Sequence, residues 1–179
     1  LRRRELITTA GEEIVLPLLD ACTDVDNVIS EEAKLAAAEL VNATSRVSFA
    51  NAICARWVEA RDPRLEESMR YGGHVASTPI QTKVVSALKT DRRDLLVSLG
   101  PEVVSPLITA TRDADETIQK QALLALGELT QKTTRECFAN QLCKQWAQKR
   151  SKGLESLMVR GGYIATEPLD IAILSALKL

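Results

Sequence analysis

The chain repeats itself once at a constant spacing. Gly11 recurs as Gly100, Pro17 as Pro106, Phe49 as Phe138, Trp57 as Trp146 and Pro79 as Pro168, always 89 residues later. Residues 1–89 align with 90–178 without a gap, and about 36 of the 89 positions are identical, far more than unrelated segments share. A duplication without insertions implies a structural unit that stacks on a copy of itself, each covering a face that the other leaves open. In such a fold, function is spread along a surface rather than gathered in one cleft.

Composition narrows the building blocks to helices. Ala and Leu dominate and aromatics are 3% of the 179 residues, whereas sheets favour aromatic and β-branched side chains. Lys+Arg 23 and Asp+Glu 24 nearly cancel, so no chain-wide field draws the protein to nucleic acid or anionic lipid. No stretch approaches the roughly 20 apolar residues of a membrane-spanning helix, since even Val97 to Leu107 is interrupted by Gly100, Pro101 and Glu102. With no secretory leader pattern either, a cytoplasmic location is expected. Cys22, Cys54, Cys137 and Cys143 lack CxxC pairs and read as reduced, packed thiols, so no metal and no cofactor is expected.

The punctuation divides each unit into helices. Ile14, Val15, Leu18, Leu19 and Cys22 make one apolar face, the polar turn Thr23 to Asp26 ends it, and Asp26 is placed to cap a second helix running to about Thr44. That helix is expected to bury Ile29, Ala33, Ala36, Ala37 and Leu40. Phe49, Ala50, Ile53, Cys54, Trp57 and Val58 mark a third helix, and a fourth runs from Pro63 to the closing pair Gly72–Gly73. Pro79 opens the next, a further short helix ends in Ser86, Ala87, Leu88 and Lys89, matched by Ser175 to Lys178, and Asp91 to Leu99 follows it. Roughly six helices of about 10 to 18 residues per unit are expected.

The segment Glu102 to Ala110, the aspartates Asp113 and Asp115, and then Ile118, Ala122, Leu126 and Leu129 resemble a HEAT repeat, as does Glu13 to Leu40. Pro106, Asp113 and Asp115 match the internal proline and aspartate turn of that family, while Ser30 and Gln119 stand where it often has Arg or Lys. The second half of each unit is similar to helical arrays that accompany WD-repeat propellers in some bacterial multidomain proteins. The resemblance implies an all-α, HEAT-like (armadillo-like) α-solenoid, a superhelix of antiparallel helix pairs: one fragment, 1–179, holding two tandem units, 1–89 and 90–178. Leu179 aligns with Thr90, which opens a unit, so the chain reads as a piece of a longer array.

Candidate binding residues follow from the second helix. Leu35 and Leu124 fall opposite the expected buried stripe, and Glu31, Ala38 and Asn42 share their side with Lys120, Gly127 and Gln131, positions that differ between the units. Packing on a neighbouring helix pair explains the leucines; an apolar protein-binding patch is the functional reading. Trp57 and Trp146 read as core, with partner anchoring the alternative. Asn51 and Asn140 read as side chains that tie down a neighbouring loop, with peptide backbone recognition the alternative. Arg2 to Arg4 and Lys144, Lys149, Arg150, Lys152 and Arg160 read as solvated helix faces before phosphate contacts.

His74, the one histidine, follows the helix-closing glycines and is expected in a loop. No phosphate-cradling loop, nucleophile elbow or Cys/His arrangement is present, so no catalytic residue is assigned. The function expected is a non-enzymatic scaffold that binds a protein or peptide partner along the repeat surface. The alternatives are a HEAT-like bilin lyase or chromophore-protein chaperone, and nucleic-acid backbone binding.

Overall fold

The computed structural model describes residues 6–179, and every regular element among them is helical. The arginines Arg2 to Arg4 lie outside the described residues. Two compact units, Leu1–Arg92 and Arg93–Leu179, divide the chain three residues beyond the boundary expected from the repeat.

In the first unit a 3-10 turn, Glu12–Ile14, leads into α1 (Val15–Ala21). Pro17 sits in the first turn of α1, where its missing N–H costs no helical hydrogen bond. Asp26 ends the following turn by accepting the N–H groups of Val28 and Ile29, which starts α2 (Asn27–Ala38). The long α3 (Ala43–Ala60) follows, then α4 (Pro63–Gly72) and α5 (Ile80–Lys89). Helix α3 is the central element and packs on α1, α4 and α5, while α2 packs on α1 and α4.

The second unit opens with the short α6 (Asp94–Val97) and a 3-10 turn, Pro101–Val103. Its helices α7 (Val104–Ala110), α8 (Glu116–Gly127), α9 (Lys132–Lys149), α10 (Lys152–Gly161) and α11 (Leu169–Lys178) each start and stop 89 residues after α1 to α5. Here α9 is central, packing on α7, α10 and α11, and α8 packs on α7.

The cores follow the apolar stripes. Phe49, Ile53, Cys54 and Trp57 of α3 are buried, as are Phe138, Leu142, Cys143 and Trp146 of α9. Arg61 and Arg150 close these two helices in the left-handed conformation and stack over Trp57 and Trp146 at 4.7 Å. The tryptophans are therefore core residues.

Three expectations are corrected. The second helix does not reach Thr44: it stops at Ala38, because Asn42 accepts the N–H groups of Thr44 and Ser45 and starts α3 as a separate helix. Ile29 is 47% exposed although its counterpart Ile118 is fully buried. Helix lengths are also more uneven than expected, from 4 residues in α6 to 18 in α3 and α9.

Candidate functional site

The segments between α4 and α5 and between α10 and α11 are held by the same side chains in both units. Asn51 Oδ1 accepts the N–H of Ser77 at 2.7 Å and of Thr78 at 3.3 Å; Asn140 Oδ1 accepts those of Thr166 at 2.7 Å and Glu167 at 3.4 Å. The Ser86 hydroxyl accepts the N–H of Ala76, and that of Ser175 accepts the N–H of Ala165. Both segments end in a cis peptide, Thr78–Pro79 and Glu167–Pro168. The loop-tying reading of Asn51 and Asn140 is what the geometry shows.

His74 lies in the loop after the helix-closing glycines, as expected, but its side chain turns inward. It is 4% exposed, and its ring meets Phe49 edge-on at 5.1 Å, as Tyr163 meets Phe138 at 4.9 Å. Burial, aided by Arg46, lowers its pKa to about 4, so the ring is neutral at physiological pH. Its Nε2 and the Nε1 of Trp57 make no hydrogen bond, whereas Trp146 donates to Glu155 at 3.3 Å. Burial also pushes the thiols of Cys22 and Cys54 up to about 11 and raises that of Cys143, which suits packing rather than nucleophilic attack. Among the described residues no three His, Cys, Asp or Glu side chains are grouped to hold a metal, and no helix is long and apolar enough to cross a membrane.

The binding residues expected from the sequence form a shorter stripe than proposed. Glu31, Leu35 and Ala38 share one face of α2, and Lys120, Leu124 and Gly127 share that of α8. Leu35 is half-buried and Leu124 is 41% exposed. Asn42 and Gln131 do not continue the stripe, because both helices have already ended. Asn42 caps α3, and Gln131 donates to the carbonyl of Ser98. Glu31 is engaged as well: the ammonium of the buried Lys34 bonds Glu31 at 2.8 Å and Glu67 on α4 at 2.6 Å. Burial alone would lower the Lys34 pKa, but these two hydrogen bonds outweigh it and raise the pKa above its ordinary value.

Two surface grooves of the second unit went unread in the sequence. One, of about 720 Å³, runs between α9 and the braced segment before α11 and is lined by Glu136, Cys137, Asn140, Gln141, Lys144 and Glu167, with Thr133, Thr166 and Pro168. The other, of about 650 Å³, has Leu123 of α8 and Leu154 and Leu157 of α10 as apolar lining, with Arg112, Lys149 and Arg160 around it. Helix α2 packs closely on α4, but their counterparts α8 and α10 make at most slight contact.

Compared with family models, curated proteins and solved structures, the chain matches none. A signal for the second groove lay in the internal alignment: Leu123, Gly153 and Ser156 stand where the first unit has Lys34, Arg64 and Glu67. The first unit fills that space with the Lys34–Glu67 pair and with Arg64, which donates to the Thr23 carbonyl at 2.7 Å. The second unit carries none of these three side chains.

Proposed function

We propose that the chain is a HEAT-like α-solenoid of two tandem units and serves as a non-enzymatic scaffold that binds a protein or peptide partner along its helical surface. One observation carries the reading: the frame is held constant while the groove lining changes. Asn51 and Asn140 hold the same loop N–H groups, and Pro79 and Pro168 follow the same cis peptide, so the backbone beside the α9 groove and at its counterpart in the first unit is alike. Between these fixed points Val47, Ser48, Ala52, Ala55 and Thr78 give way to Glu136, Cys137, Gln141, Lys144 and Glu167. A rigid frame with changed side chains is how repeat proteins alter recognition without altering fold.

The test is affinity capture from the source cell's lysate by the native chain, beside Leu124→Glu and Lys144→Glu variants checked for helicity by circular dichroism. A protein partner held by the native chain and lost by either folded variant is the expected outcome. Retention of a pigment or of nucleic acid, with no protein recovered, overturns the scaffold reading.

A further inference from the structure

We infer that the groove between α8 and α10 takes an acidic amphipathic peptide segment, with apolar side chains on Leu123, Leu154 and Leu157 and carboxylates against Arg112, Lys149 and Arg160. The inference rests on the scaffold reading and names the partner's chemistry.

The groove is produced by substitution within the unit. In the first unit the charged pair Lys34–Glu67 bridges α2 and α4, and Leu65 and Ser68 of α4 are buried. In the second, Leu123 cannot pair, Ser156 and Gly153 leave the space open, and Leu154 and Leu157 stay half-buried where Leu65 and Ser68 are covered. Leu123 itself is 45% exposed. An apolar floor of this kind is stabilised when another apolar surface displaces its water.

Charge selects the occupant. Three basic residues and no carboxylate line the groove. At the matching positions the first unit has Thr23, Ala60 and Tyr71, so all three cations belong to the second unit alone. Of the three, Arg112 donates to the neutral Gln145 at 3.0 Å. Cations grouped beside these partly open leucines repel one another, and a partner bringing carboxylates relieves that repulsion while burying the leucines. The volume of about 650 Å³ lies in the range that holds a few side chains rather than a folded domain.

The experiment is selection from a displayed library of random peptides against the full chain, followed by titration of the selected peptides by fluorescence anisotropy. Sequences combining Asp or Glu with Leu, Ile or Phe should emerge. Their affinity should fall roughly tenfold or more for Lys149→Glu and for Arg160→Glu, and should weaken as salt rises. Lys83→Glu on α5, an equal change of charge in the other unit, should leave it intact. Leu123→Ser keeps the cations and should weaken binding through the floor alone. Peptides that are not acidic, or that ignore both charge reversals, overturn this inference while leaving the scaffold reading standing. So does a chain that selects no peptide but binds a single-stranded oligonucleotide through Lys149 and Arg160, and that result turns against the scaffold reading too.

Discussion

Asn51 Oδ1 accepts the N–H of Ser77, and 89 residues on, Asn140 Oδ1 accepts the N–H of Thr166, both at 2.7 Å. One acceptor on the central helix thus holds a loop some 26 residues away in sequence, and in each unit it accepts two consecutive backbone N–H groups. Removing it leaves those donors without their partner. Asn51→Ala is expected to cost about 1–3 kcal/mol, read from the urea midpoint, whereas Asn51→Asp, which keeps an acceptor oxygen, should retain most of the stability. Equal losses for the two variants would show that the amide acts through packing instead.

His74 gives the chain a pH dependence of defined sign. Its folded pKa, about 4, lies below the ordinary 6.5, so between these values the unfolded chain binds a proton that the folded one does not. Stability is therefore full above about pH 6.5, falls as the pH drops towards 4, and loses nothing more from this group below that. The His74 contribution to the loss between pH 7 and pH 5 is on the order of 2 kcal/mol. His74→Tyr, the residue found at position 163, should remove that part of the dependence when urea midpoints are compared at the two pH values.

The two glycines that close α4 act by different means. Gly73 has φ +61°, in the left-handed region, with open space around it, so Gly73→Ala should cost only about 1 kcal/mol of backbone strain. Gly72 instead lies under the His74 ring, where a Cβ would come within 2.1 Å of Nε2. Gly72→Ala is expected to cost more, up to about 3 kcal/mol. The double variant Gly72→Ala, His74→Ala should cost less than the sum of its parts, as a double-mutant cycle would reveal.

What could be read from the sequence was whatever the backbone demands locally. Asp26 before an apolar stripe, the Gly72–Gly73 pair and the spacing of Phe49, Ile53 and Trp57 located a cap, a helix end and a core face. The break at Asn42 was missed because Leu40 and Val41 prolong an apolar pattern, and periodicity alone does not show that an asparagine side chain has taken over the N–H groups of Thr44 and Ser45. That error extended the candidate stripe to Asn42 and Gln131. The loop position of His74 is legible from the glycines before it, but its burial is not: whether that side chain turns inward depends on Phe49, a contact made across 25 residues. The α8–α10 groove has no motif of its own, since Gly153 and Ser156 carry no signal until they are set against Arg64 and Glu67.

The same comparison yields a stabilising substitution. Asp62 starts α4 by accepting the N–H of Arg64 at 2.8 Å, but Ser151, at the matching place before α10, makes no side-chain cap hydrogen bond. A carboxylate there can satisfy a first-turn N–H and favours the positive end of the helix dipole. Ser151→Asp is expected to raise stability by about 0.5–1 kcal/mol, measured by thermal and urea unfolding. Ser151 also lines the α8–α10 groove, so the new carboxylate adds negative charge beside Lys149 and Arg160. The variant should therefore be more stable yet bind acidic peptides more weakly. A gain in stability with no loss of binding would place the peptide elsewhere.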